Sequence, residues 1–308
     1  MEQISGGAPL PPALRGGVVA LGNFDGFHAG HQAVAGRALA LARARGVPAL
    51  VASFDPHPAR LFKPELPPFA LTSVPQRLGL FADFGMDAGV LLPFDRVLAA
   101  QSAETFVADW LLGRLGVSGV VTGGDFTFGR GREGDVARLA ALMGAAGGFA
   151  EVVPPVADGV GVVSSTRVRK ALMAGDPGTA AALLTRPFAI RGVVEHGAKL
   201  GRQLGFPTAN MRLMDYVRPA YGVYAVRVRL ADGSFVPGVA NLGIRPMIDP
   251  PVELLETWLL DWAGDLYGQE IEVQLVAFLR PEMKLDGLDA LKAQVMADAL
   301  AARAVLGA

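Results

Sequence analysis

The 308-residue chain sets 28 Lys and Arg against 29 Asp and Glu, a formal net charge of -1, so no basic excess argues for generic nucleic-acid binding and any anion site must be local. The absence of cysteine removes disulfides, thiolate zinc sites and cysteine nucleophiles. The opening MEQISGGAPLPPALRG has neither a basic leader nor a continuous apolar core, and no later run stays apolar for the roughly 18 residues of a membrane span. The expectation is a soluble cytoplasmic protein with neither membrane nor nucleic acid as partner; nothing in the composition assigns an oligomeric state.

VVAL, residues 18–21, predicts a strand that gives way to a helix over HQAVAGRALALARARG. PALVASF, DAGVLL and VSGVVTG read as further strands, with SAETFVADWLLGRLG and GDVARLAALMGAAG as helices between and after them. This alternation predicts a parallel α/β sheet with crossover helices, its active crevice at the carboxyl ends of the strands. Near Arg186 and Pro187 the rhythm changes to short β segments: AIRGVV, GVYAVRVRL, VPGVANLG, VELLETWLL and IEVQLVAFL. Val226, Val228 and Leu230 alternate with Arg227 and Arg229 there, which predicts a small antiparallel β-barrel. The closing GLDALKAQVMADALAARAVL should be a helix packed on that barrel through Leu288, Leu291 and Val295.

Chemistry-bearing residues concentrate after the first strand, where GNFDGFHAGH supplies Gly22, Asn23, Asp25, Gly26, His28, Gly30 and His31. Gly30 suits close approach of a phosphate at a helix start, and His28 and His31 can donate to phosphate oxygens. The same residues could instead satisfy loop carbonyls, or form a metal pair with Asp25. SFDPHP places Asp55 and His57 in a rigid turn. GGDFTFGRGREG adds Asp125, Arg130 and Arg132, and VSSTRVRKAL adds Ser165, Thr166 and Arg169 at another helix start. Hydroxyls followed by basic side chains suit a triphosphate, though they also suit a solvated helix face. Gly129, Gly131 and Gly134 with Glu151 formally match a dinucleotide fingerprint. The arginines within that loop, and Glu151 at the start of an apolar run, argue against it. No P-loop is present.

In the second half, GVVEHGAKLGRQLGFPTAN gathers Gly197, Lys199, Gly201, Arg202, Gly205, Pro207, Thr208 and Asn210 around an expected compact loop. Its hydroxyl and amide oxygens could meet a magnesium ion, or the stretch could be a hairpin with capped ends. Of Glu253, Glu256, Asp261 and Asp265 in ELLETWLLDWAGDLYG, Glu256 stands within the apolar run.

Taken together and in order, these signatures, with GVANLGIRP and GDLYG, resemble the prokaryotic bifunctional riboflavin kinase and FMN adenylyltransferase family, the bifunctional FAD synthetases. Residues 16–183 are similar to its Rossmann-like nucleotidyltransferase module and residues 184–305 to its riboflavin-kinase module. The resemblance implies that the first module joins the phosphate of FMN to the adenylyl part of ATP, yielding FAD and pyrophosphate. It assigns His28 and His31 to ATP phosphate, and Gly22, Asn23, Gly30, Asp125, Ser165, Thr166 and Arg169 to ATP binding. For the second module it implies phosphorylation of riboflavin by ATP, with Thr208 and Asn210 as Mg2+ ligands and Glu256 as general base. Gly197, Lys199, Gly201, Gly205, Pro207 and Asn241 are then its ATP contacts. Met247 and Trp258 depart from the threonine and histidine usual in the family, which leaves two alternatives: an adenylyltransferase with impaired kinase activity, or a non-catalytic flavin-binding protein.

Overall fold

In the first half each short apolar run is flanked by helix-forming sequence and becomes a strand buried on both faces. The computed structural model describes residues 1–196, 205–245 and 252–308. The chain forms two units, Met1–Leu66 with Val74–Ser164, and Pro67–Ser73 with Ser165–Ala308.

The first unit holds β1 (Glu2–Ile4), β2 (Val18–Leu21), β3 (Ala49–Asp55), β4 (Ala88–Pro93), β5 (Gly119–Gly123) and β6 (Phe149–Val153) in a parallel sheet of order β1-β4-β3-β2-β5-β6. Along β2, Val18 and Ala20 face one apolar layer and Val19 and Leu21 the other, as the two-residue period of a strand requires. The helix Ala29–Arg45 lies against one face through Val34, Ala35, Ala38 and Ala42, and Gly46 ends it in a left-handed conformation (φ +65°). The stretch SAETFVADWLLGRLG is helical but winds as a π-helix over Phe106–Arg114. β1 was not expected: three largely exposed residues carry no periodicity signal. A two-residue hairpin, β7 (Ala157–Asp158) with β8 (Gly161–Val162), closes the unit.

In the second unit β9 (Phe188–Val193), β10 (Thr208–Arg212), β11 (Gly222–Arg229), β12 (Phe235–Arg245), β13 (Val252–Leu259) and β14 (Glu270–Pro281) form a curled antiparallel sheet of order β10-β13-β12-β11-β14-β9. The bridge of Glu195 to Asn210 draws its two edges together. Val226 and Val228 point inward and Arg227 and Arg229 outward, as their alternation predicts.

The terminal helix Gly287–Leu306 packs on the sheet along the stripe that continues from the half-buried Leu291 and Val295, though without Leu288. Leu288 is exposed, and the contact is made by Ala299, Ala302 and Leu306 against Val223, Ala225, Val239 and Leu260. Small alanines let the helix approach the strands closely, which an apolar-spacing argument favouring leucine does not anticipate. Asp298, 5% exposed, anchors the same face. Its carboxylate accepts from Arg280 Nε at 2.8 Å and Nη2 at 2.7 Å, and from Gln294 Nε2 at 2.9 Å. Asp298→Ala leaves a largely buried guanidinium without its carboxylate and should cost about 2 kcal/mol, below the range for a wholly buried pair because Arg280 keeps some solvent. Chemical denaturation would show this as a lower midpoint for the second unit; an unchanged midpoint would mean that the pair does not anchor the helix.

Candidate functional site

The first candidate site grows from the carboxyl end of β2, which lies between β3 and β5 where the strand order reverses. Such a switch point opens a crevice because the flanking connections leave in opposite directions. The pairing of β2 ends at Leu21 with Ala52 on one side and at Ala20 with Val121 on the other. The next carbonyls therefore need other donors. Thr122 Oγ1 donates to the Leu21 carbonyl at 3.1 Å, while Ser53 Oγ and Arg77 Nη1 donate to that of Asn23 at 2.8 and 3.2 Å.

The loop then turns through three left-handed residues, Phe24 (φ +52°), Gly26 (φ +83°) and Phe27 (φ +43°). For bulky phenylalanines this conformation is unfavourable, so packing must hold it. Phe81 supplies that packing, edge-on to Phe24 at 5.8 Å and to Phe27 at 5.1 Å, with Phe84 at 5.3 Å from Phe27.

The loop delivers His28 as the N-cap of the helix Ala29–Arg45, its Nδ1 accepting the His31 backbone N–H at 3.4 Å. An accepting Nδ1 leaves the ring proton on Nε2, a donor. The His31 ring stacks on His28 at 3.6 Å and 20°, and stands edge-on to Phe24 at 5.3 Å. A side chain at residue 30 would bring its Cβ within 3.1 Å of His28 Cε1, so Gly30 is needed to seat the imidazole. The histidine pair thus sits on the first turn of a long helix, where N–H groups and the helix dipole favour an anion. A metal pair gains no support: among the described residues no group of three His, Asp or Glu side chains converges, and His28 Nδ1 is spent on the cap.

Gly22, Asn23 and the buried Asp25 belong to the same loop, and Asp125 stands in an exposed turn directly after β5. Asp55 ends β3, and His57 caps the short helix Pro58–Phe62 through the Ala59 N–H at 3.1 Å. Arg130 and Arg132 form an exposed 3-10 turn, and Glu151 on β6 accepts from Arg37, which gives it a role other than ribose binding. Ser165, Thr166 and Arg169 open the helix Ser165–Met173. Arg169 Nε donates to the Phe69 carbonyl at 2.7 Å, with its guanidinium 5.3 Å from the Phe69 ring centre.

The second candidate site is written across three strands. Gly205, left-handed at φ +94°, turns the chain into β10. Thr208 and Asn210 are therefore strand residues and not part of the expected compact loop, because alternation over only five residues, TANMR, is too brief a signal to read. Register places Asn210 opposite Glu256 on β13, and Glu256 opposite Asn241 on β12. Residues directly opposite in neighbouring strands share a face, so these three side chains lie in one row, and Thr208 shares their face two residues before Asn210. The other face carries Met211, Leu255 and Leu242 into the core.

Asn210 is buried and its Oδ1 has no hydrogen-bond partner among the described residues. An unmet buried acceptor costs about 1–3 kcal/mol, and an amide oxygen is a ligand type that a hard divalent cation takes. The neighbouring carboxylates serve the fold. Glu253 accepts from Arg218 Nε at 2.6 Å and from the Tyr221 hydroxyl, whose pKa burial and that bond push up to about 12. Asp261 pairs with Arg303 at 2.6 Å, and Asp265 accepts the Tyr267 N–H at 3.0 Å. Trp258 packs beside Phe206 at 5.8 Å, next to Thr208 in register. Pro207 is exposed and precedes the strand. Gly197, Lys199, Gly201, Arg202 and Met247 lie outside the described residues.

Sequence reasoning missed Ser53, Arg77, Phe81 and Thr122, which hold the first loop. Arg77 left one trace, a charge within the otherwise apolar face Val74, Leu78, Phe81 of its helix.

The chain matches a family model described as FAD synthetase over residues 10–167 and one described as riboflavin kinase over residues 184–306. It is 41% identical to the bifunctional riboflavin kinase/FMN adenylyltransferase of Escherichia coli (strain K12), covering 95% of this chain and 93% of that one. The protein of the same name from Pseudomonas fluorescens is 42% identical over 99% of this chain and 98% of its own. That from Bacillus subtilis (strain 168) is 34% identical over 91% and 90%. A crystal structure from Streptococcus pneumoniae described as a macrolide-efflux protein superposes with TM-score 0.88 and 30% identity, over 98% of this chain and 99% of that one. No helix among the described residues here is long and apolar enough to cross a membrane. With both family models matched in order and relatives similar along nearly their whole length, the chain belongs to the bifunctional riboflavin kinase/FMN adenylyltransferase family.

Proposed function

We propose that this chain converts riboflavin and ATP to FMN and ADP, then FMN and ATP to FAD and pyrophosphate, with residues 184–305 performing the first step and residues 16–183 the second. The observation that carries the assignment of residues is the pairing of two unlike sites: a histidine pair at a helix N-terminus, rich in donors, and a strand row of Asn210, Glu256 and Asn241, rich in acceptors. A cytoplasmic location suits two ATP-consuming reactions.

In adenylyl transfer an oxygen of the FMN phosphate attacks the α-phosphorus of ATP and pyrophosphate leaves. The nucleophile is already an anion, so the residues mainly align and stabilise charge. His28 and His31 donate to phosphate oxygens as charge gathers on the departing pyrophosphate. Gly22, Asn23, Gly30, Asp125, Ser165, Thr166 and Arg169 form the ATP contacts.

In the kinase step the riboflavin 5'-hydroxyl attacks the γ-phosphorus of ATP. Glu256 orients that hydroxyl and takes its proton. Thr208 and Asn210 would hold Mg2+, which would supply charge neutralisation on the phosphates; the unmet Asn210 Oδ1 fits that role. Gly197, Lys199, Gly201, Gly205, Pro207 and Asn241 surround ATP. With Trp258 filled against Phe206, the flavin contact at that position is apolar.

The primary test is a time course with purified protein, riboflavin and Mg-ATP, resolving riboflavin, FMN, FAD, ADP and pyrophosphate. FMN should rise before FAD. FAD formed only from supplied FMN would identify an adenylyltransferase with impaired kinase activity, and binding with no product would identify a flavin-binding protein.

His31→Ala should slow adenylylation of FMN on the order of 100-fold while riboflavin phosphorylation stays within about twofold; equal loss of both in folded protein would contradict the assignment. Glu256→Gln should reverse that pattern, slowing phosphorylation by about 100-fold or more. A near-normal phosphorylation rate across several pH values would remove Glu256 from its role as base.

Asn210→Leu has two expected effects. It replaces a buried, unmet acceptor by an apolar group of similar size, so the ligand-free protein should gain about 1 kcal/mol in stability, while kinase activity is lost. Calorimetry and the kinase assay read the two separately, and a destabilised variant would mean that Asn210 is a structural group.

A further inference from the structure

Arg77 is a buried cation within an otherwise apolar helix face. It lies on the helix Val74–Asp83 and is 4% exposed, between residues that pack as core, among them Leu78 and Phe81. Burying a guanidinium is costly, and a methionine would fill the same space. Burial pulls its pKa below the usual arginine range, with the nearby Asp25 and Asp55 carboxylates pulling the other way. Its Nε is buried without a hydrogen-bond partner among the described residues. Its Nη1 donates to a backbone oxygen, the carbonyl of Asn23 at 3.2 Å.

That oxygen has particular leverage. It belongs to the peptide plane whose rotation defines φ of Phe24, and Phe24 is held at +52°, where a phenylalanine does not rest unaided. One turn after Arg77 on the same helix, Phe81 packs against both Phe24 and Phe27. The helix therefore grips the loop twice, by its peptide plane and by its aromatic rings. Beyond that grip comes His28, whose cap geometry fixes the stacked His31. If the Asn23 plane is released, Phe24 can relax to negative φ and the pair moves with it.

We propose that Arg77 is a positioning residue for adenylyl transfer, fixing the Asn23 peptide plane and through it the His28–His31 pair. The inference rests on the assignment of those histidines to ATP phosphate.

A double-mutant cycle in the full chain tests it: Arg77→Met, His31→Ala and the double variant, assayed for adenylylation of FMN and, as a folding control, for phosphorylation of riboflavin. Arg77→Met should lower kcat for adenylylation by about 10- to 100-fold, the scale of a small misplacement of reacting groups. KM for ATP and FMN should change by less than about threefold, and phosphorylation should hold. The double variant should be no slower than His31→Ala within about twofold, since nothing remains to be positioned. Additive losses, or a wild-type kcat in Arg77→Met, would overturn the proposal. An unimpaired His31→Ala would instead overturn the histidine assignment itself. Arg77→Lys keeps the charge but not the fork, and should also lose at least about fivefold in kcat. Full activity in Arg77→Lys would reduce Arg77 to a charge balance. Should the methionine variant fail to fold, the lysine variant takes its place in the cycle with the same expectation of non-additivity.

Discussion

The carbonyl of Asn23 lies beyond the last backbone pair of β2, where the neighbouring strands no longer offer ladder donors, and Ser53 and Arg77 meet it instead. A parallel sheet creates this situation at every strand end, and ordinarily water resolves it. Here side chains from β3 and the helix Val74–Asp83 do so, which turns a loose strand end into a fixed one. Fixed backbone lets two phenylalanines occupy left-handed conformations, and those conformations bring His28 to the start of its helix at the angle where it caps. The site is in this sense a solution to a hydrogen-bonding problem at the edge of a ladder.

The kinase half reaches its geometry by register. Asn210, Glu256 and Asn241 align because β10, β13 and β12 pair as they do, and that pairing is enforced from the other face by Met211, Leu255 and Leu242. A slip of one residue would turn the polar row into the core and expose the apolar one. The hydrophobic choice that stabilises the barrel and the polar choice that builds the site are thus one constraint.

Much of this was legible in the sequence, and the limits have physical reasons. VVAL followed by HQAVAGRALALARARG announced a strand and a helix, since burial on both faces and a helix of alanines leave clear local patterns. The Val226, Val228 alternation likewise read true. β1 and β10 did not, being short, and β1 is also exposed. The terminal helix and the stripe it buries were foreseen, but not the most buried part of that stripe, Ala299 and Ala302, which pack by being small. Of the first site, the histidine pair stood out through rarity and spacing. Ser53, Thr122 and Arg77 could not, since each acts on a carbonyl brought near only by the fold, and for Arg77 the partner lies 54 positions away. The Asn210 row was invisible for the same reason: one-dimensional order does not state which strands are neighbours.

In the roles proposed for them, the two sites answer the same difficulty, phosphate charge on a chain with no net positive charge to spare, in opposite ways. The histidine site presents donors: ring N–H, helix N–H groups and the dipole behind them, which meet an anion directly. The barrel site presents oxygens, Thr208, Asn210 and Glu256, which repel a triphosphate unless a cation stands between. An acceptor left unmet in the folded protein, as Asn210 Oδ1 is, is the cost of keeping such a place open. On the proposed assignment, donor-rich and acceptor-rich sites divide the chemistry by where each needs charge: on a leaving pyrophosphate in one, and at a hydroxyl that must lose its proton in the other.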